Sequence, residues 1–108
     1  MFRSVSESDW KVFRELRQVA LQRFCDRILA EARVELDRAG LTAHERYLKL
    51  YELIQRRDDE IARGFNDFRR STALLQIGIM HSMRLFTPDE FRRFSPETIR
   101  SVEAFGHE

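Results

Sequence analysis

The chain predicts an all-α fold, and two observations carry that expectation. Helix-start punctuation recurs along its 108 residues: Ser6-Glu7-Ser8-Asp9, Thr42-Ala43-His44-Glu45 and Thr87-Pro88-Asp89-Glu90 each set a hydroxyl three residues ahead of an acid, and Ser95-Pro96-Glu97 pairs a hydroxyl with proline at the first helical position. Such arrangements satisfy the orphan N–H groups of a first helical turn. Between them the apolar residues recur at three and four, the helical period. The expected architecture is an array of about five helices: a long N-terminal one, two long central ones and two short C-terminal ones. With 43% hydrophobic residues the chain can bury one core, so residues 1–108 read as a single helical domain.

The first helix is expected over residues 9–38, with Gly40 as its left-handed stop. At 1.5 Å per residue it measures about 45 Å, whereas a compact globule of this length is only about 35 Å across. Its apolar face also changes side. Val12, Phe13, Leu16, Val19 and Ala20 lie on one side, and Leu21, Phe24, Cys25, Ile28, Leu29, Ala32 and Leu36 centre roughly 150° away. Either the helix bends near residues 20–24 or its halves pack against different partners. A second copy of the chain is one such partner, which makes Val12, Phe13 and Leu16 a candidate dimer face.

The second helix reads as residues 42–63, stopped by Gly64, with Ala43, Tyr47, Leu50, Tyr51, Ile54, Ile61 and Phe65 on one face. Asp58 interrupts that stripe. A charge buried there must find a partner or protonate, whereas Arg57 falls at the edge and reads as solvated. The third helix is expected from residue 66 or 67 to 86, apolar nearly all round over residues 73–80, with Gly78 and Ser82 spaced for close approach of another helix. His81 and Arg84 share a side of it and are the expected partners of Asp58, as a buried structural pair. Residues 88–94 and 96–105 form the last two helices, with Phe91, Phe94, Ile99, Val102 and Phe105 as a lid on the core.

Composition limits the function. Lys and Arg number 19 against 18 acids, so no global field draws the chain to nucleic acid or an anionic membrane. Arginine supplies 17 of those 19, a bias that suits phosphate or carboxylate recognition but also follows from GC-rich coding. One cysteine, Cys25, excludes an intrachain disulfide and reads as a small buried hydrophobe. The N-terminus lacks the apolar run of a signal peptide and no stretch reaches membrane-spanning length, which points to the cytoplasm.

Catalytic and metal signatures are missing in turn. His44-Glu45-Arg46-Tyr47-Leu48 opens like a zinc-protease helix but has Leu48 where the second histidine belongs. His44, His81 and His107 fall on separate segments. The four glycines form no phosphate loop, and Asp58-Asp59-Glu60 point in different directions on a helix. The expectation is therefore no catalysis, no metal and no cofactor. An enzyme site around Asp58, His81 and Arg84 ranks third among the functional readings.

Two resemblances add context. Leu41-Thr42, Glu45-Arg46, Glu60-Ile61-Ala62 and Arg69-Arg70-Ser71-Thr72 resemble the helix-turn-helix of LuxR-type regulators over about 35 residues. That resemblance implies a recognition helix opening at Arg69, Arg70, Ser71 and Thr72, whose first turn meets base edges. Gln55-Arg56-Arg57-Asp58 replaces the family's glycine-containing turn, and Leu74, Leu75, Ile77 and Ile79 make the following helix too apolar for a groove. DNA binding is therefore the runner-up. His44-Glu45-Arg46-Tyr47-Leu48, Arg57-Asp58, Phe65, Arg69-Arg70-Ser71-Thr72-Ala73-Leu74 and Phe94-Ser95-Pro96-Glu97-Thr98 also resemble small, uncharacterised all-helical proteins of proteobacteria. That likeness implies a bacterial setting and no function. The leading expectation is a helical protein-interaction module or adaptor that pairs with itself or with another protein.

Overall fold

The computed structural model describes residues 4–105, so His107 lies outside the described residues. Those residues form five α-helices and no strand: α1 (Glu7–Leu36), α2 (Ala43–Phe65), α3 (Ala73–Ser82), α4 (Pro88–Phe91) and α5 (Pro96–Phe105), with a 3-10 turn over Arg70–Thr72 before α3. The fold is all-α, as expected. Its shape is elongated, 52 × 27 × 26 Å with a radius of gyration of 16.6 Å, against about 13 Å for a compact chain of this length. The outer half of α1 and the first half of α2, joined by residues 37–42, form an antiparallel arm. The inner half of α1, the end of α2 and helices α3 to α5 form a head.

Helix α1 is unbroken, and its buried residues run as one seam: Phe13, Leu16, Ala20, Phe24, Ile28 and Ala32. Steps of four residues advance the seam by about 40° each, because the α-helix turns once in 3.6 residues. The two apolar faces read from sequence are the ends of this drifting seam; its buried members belong to the chain's own interior, while Val19, Leu29 and Leu36 at its margins stay exposed. Phe13, at 0% exposure, and Leu16, at 2%, lie in the head core with Phe65, Ile77, Met80, Leu85 and Val102, while Val12 is half-buried against that core. These three residues therefore do not form a free dimer face.

The helix boundaries differ from expectation where caps decide them. Thr42 and Thr87 make complete capping boxes with Glu45 and Glu90. Ser6 Oγ accepts from the Asp9 N–H at 3.1 Å, but the Asp9 carboxylate goes elsewhere. Gly64 is no stop. It is buried inside α2, and a Cβ there would lie 3.3 Å from Ile79 Cγ2, so its role is the close approach of α3. The expected third helix divides: residues 66–69 are irregular, with Asp67 at φ 58°, and α3 ends at Ser82. That end is a Schellman turn, with Arg84 N–H on the His81 carbonyl, Leu85 N–H on the Met80 carbonyl and Arg84 at φ 58°, where glycine is the usual residue. The fourth helix is shorter than expected, and Phe105 is exposed rather than part of the lid.

One buried acid organises the head, and it is Asp9, 2% exposed. Its carboxylate accepts from the Ser95 N–H at 2.8 Å, the Ser95 hydroxyl at 2.7 Å and the Thr98 hydroxyl at 2.7 Å, tying the start of α1 to the start of α5. Burial opposes ionisation, but the hydrogen bonds from Ser95 and Thr98 outweigh it and hold the carboxyl below its ordinary value. The stabilisation is thus present above the unfolded value and lost as pH falls through the folded one.

Replacing Asp9 with alanine strands the buried Thr98 hydroxyl and the Ser95 N–H and should cost about 3 kcal/mol in urea unfolding. The deficit relative to the wild type should shrink as pH drops below about 4. Arg84→Gly, which removes a left-handed side-chain penalty of about 1 kcal/mol, should raise the unfolding midpoint.

Candidate interaction surface

The arm gathers most of its exposed large apolar side chains on one face, with Val34 and Leu48 on other sides of it. On α2, Tyr47, Ile54 and Ile61 recur every seven residues, the spacing of a coiled-coil seam, with Tyr51 beside them and with Ile61, at the head end, half-buried against the core. Tyr47 is 60% exposed, Tyr51 52% and Ile54 44%; Leu29 and Leu36 of α1 are 51% and 55% exposed. At about 100° per residue, Cys25, Leu29 and Leu36 share the side of α1 that borders the seam. The two helices enclose an open cleft of about 220 Å³ lined by Cys25, Ile28, Leu29, Ile54, Arg57, Asp58 and Ile61. Beneath it Ala32 and Leu53 are buried along the hairpin. Stacked rings continue the face toward the arm's tip, His44 on Tyr47 and Tyr47 on Tyr51.

A polar clamp holds the arm closed beside this face. Arg57 donates from Nε and Nη2 to the two Glu31 oxygens at 3.0 and 2.9 Å, and from Nη1 to Glu60 at 2.6 Å. The hydrogen bonds from Arg57 lower the Glu31 carboxyl below its ordinary value against the cost of burial, and the two carboxylates raise the Arg57 guanidinium above its own. The expectation of a solvated Arg57 is therefore corrected: the guanidinium reaches across from α2 to α1.

Asp58, by contrast, is exposed at the mouth of the cleft and has no hydrogen-bond or ion-pair partner among the described residues. The stripe that suggested its burial is wider than the strip α1 covers. Its expected partners stand in the head. The His81 ring stacks on Phe91 at 4.1 Å, and Arg84 sits exposed in the turn after α3, its carbonyl accepting from Arg27 at 2.6 Å. The three residues are not brought together, neither as a buried pair nor as an enzyme site.

The residues of the DNA-binding alternative are occupied as well. Arg69 pairs with Asp67 at 2.6 Å, Arg70 donates to the Val5 carbonyl at 3.1 Å, and the Thr72 hydroxyl donates to the Asp67 carbonyl at 2.7 Å, while Ser71 is exposed. The helix that follows them is the core helix, with Ala73, Gln76, Ile77 and Met80 buried, and α2 runs unbroken through residues 55–58. The side of α3 that is left outward carries Leu75, Gly78 and Ile79, an apolar surface without the polar side chains that read base edges.

No protein-family model and no curated protein matches the chain. A solved structure does. It is an arginine-to-lysine variant of the Fluorescence Recovery Protein from Synechocystis sp PCC 6803, similar at a TM-score of 0.77 and 18% identity, with 95% of this chain and 98% of that chain covered. The likeness spans head and arm together, so the two chains share the fold. No helix among the described residues is long and apolar enough to cross a membrane, and those residues hold no cluster of three metal-ligating side chains.

Arg57→Met should lower stability by about 1 kcal/mol, a modest figure because the clamp is partly exposed and water screens it. High salt should narrow the gap between variant and wild type, measured by urea unfolding at low and high ionic strength.

Proposed function

We propose that the chain is a non-catalytic helical interaction module that pairs with a second copy of itself through the open face of the arm. The observation that carries this reading is the exposure of Leu29, Leu36, Tyr47, Tyr51 and Ile54 on one side of a two-helix arm. Contiguous apolar surface bordered by charge marks an interaction site rather than scattered surface residues. Two such arms, laid face to face, complete a four-helix bundle, the stable form for helices with a coiled-coil-like seam. The face is about 30 Å long and two helices wide, a footprint on the order of 600 Å², close to the roughly 800 Å² per partner of a standard interface. Its seven-residue repeat suits a helix of the same repeat, which this chain itself supplies.

The non-catalytic part of the reading rests on where the perturbed charges are. Asp9 is consumed by the α5 cap, Arg57 by Glu31 and Glu60, and Glu90 by Arg23, whose guanidinium, at 2.5 and 2.9 Å, holds it down to about 2. Each is committed to a structural contact, and none of the three lines the arm cleft with a free lone pair or proton.

Light scattering should give twice the monomer mass at micromolar concentration. Ile54→Glu, which puts a charge at the middle of the seam, should give the monomer mass with an unchanged helical circular dichroism spectrum. A wild-type protein that stays monomeric at 100 μM would overturn the proposal.

A further inference from the structure

Asp58 is the feature of the arm that dimerisation alone leaves unexplained. Pairing the arm faces removes water from the cleft, and a carboxylate without a partner is costly there. Within its own chain Asp58 has none, because the neighbouring Arg57 guanidinium is already divided between Glu31 and Glu60. The partner copy must therefore supply the donor, and the orientation of the two arms decides whether it can.

Resting on the homodimer reading above, we infer that the arms pack antiparallel about a two-fold axis at Ile54, with Asp58 of each copy accepting from the Tyr51 hydroxyl of the other. Symmetry restricts the alternatives. In a parallel pair the axis runs along the helices and sets opposite flanks against each other, so Asp58 meets the flank that carries Leu50 and Arg57, and that guanidinium is already divided between Glu31 and Glu60. In an antiparallel pair, residues equally far before and after the axis meet. Tyr47 and Ile61 stand seven residues either side of Ile54 and so pack on each other, ring against branched aliphatic. Tyr51 and Asp58 stand three before and four after, which brings them level to within about one residue, 1.5 Å along the helix.

They also share a side. At about 100° per residue, Tyr51 and Asp58 both lie some 40–60° from Ile54 in the same sense. Equivalent flanks of two antiparallel helices face each other, so these two side chains meet beside the seam. The Tyr51 oxygen already accepts from Gln55 Nε2 at 2.9 Å, which turns its proton outward for a further acceptor. Asp58 thus sets orientation and register, as single polar residues do in coiled coils.

Oxidative crosslinking of single-cysteine variants separates the possibilities. In a Cys25→Ser background, Ile54→Cys should form a disulfide-linked dimer, while Tyr47→Cys and Ile61→Cys should not, since each lies about 10 Å from the axis and about 20 Å from its copy, beyond disulfide reach. Asp58→Ala and Tyr51→Phe should each raise the dimer dissociation constant about tenfold or more, as a hydrogen bond to a charge is lost twice per dimer. Crosslinking at all three positions, or an Asp58→Ala dimer tighter than the wild type, would establish parallel arms and overturn the inference. A dimer that crosslinks at none of the three overturns it by moving the contact off this face, and a monomeric wild type overturns the homodimer reading itself.

Discussion

Helix α1 is the constraint from which the rest of the structure follows. Thirty residues of unbroken helix make a rod of about 45 Å, longer than a core built from so few residues. The remaining elements must therefore distribute themselves along it rather than surround it. Its drifting seam dictates how. The end nearest Phe13 presents apolar side chains to α3 and the C-terminal helices, and the end nearest Ala32 presents them to α2. A strict straight stripe would have placed all partners on one side; the drift of about 40° per four residues lets the head and the arm lie on different sides of one rod.

The charges on α1 place the ends of the other helices. Asp9 takes the start of α5, where N–H groups are unpaired, whereas the arginines go to helix ends, where carbonyls are unpaired. Arg17 Nη2 donates to the Phe65 carbonyl at the end of α2 at 2.6 Å. Arg23 reaches the Leu85 carbonyl at 2.9 Å and Arg27 the Met83 and Arg84 carbonyls at 2.6 Å, all just past the end of α3. Arginine suits this work because its several donors fork between targets: Arg23 holds a carbonyl and the Glu90 carboxylate together. Part of the arginine bias is thus structural, spent on carbonyls rather than on phosphates.

The fold class and the caps were legible because they are local: a hydroxyl and an acid three apart describe their own turn whatever surrounds them. The capping boxes at Thr42 and Thr87 and the start of α5 stand where the spacing placed them. What depended on packing was not. Phe13 and Leu16 looked unpartnered because the residues that cover them, from Phe65 onward, lie far along the chain, and Gly64 looked like a stop when its small size serves the approach of Ile79. Asp9 was hidden by its own cap. An acid three residues after Ser6 reads as the second half of a capping box, and only the position of α5 shows that its carboxylate is turned inward.

Asp58 draws the clearest line between the two kinds of information. Its place in an apolar stripe is a property of the sequence, and the physical rule that such a charge needs a partner holds in any surroundings. The rule does not say that the partner is in the same chain. The stripe on α2 is broader than one neighbouring helix can cover, so α1 takes the edge that includes Leu53 and leaves the edge with Tyr47, Ile54 and Asp58 in water. While that edge is wet, Asp58 is hydrated and costs nothing. The demand for a partner arises only when something covers the arm, so an apolar face carrying one unpaired acid admits a surface that answers the acid and resists one that does not.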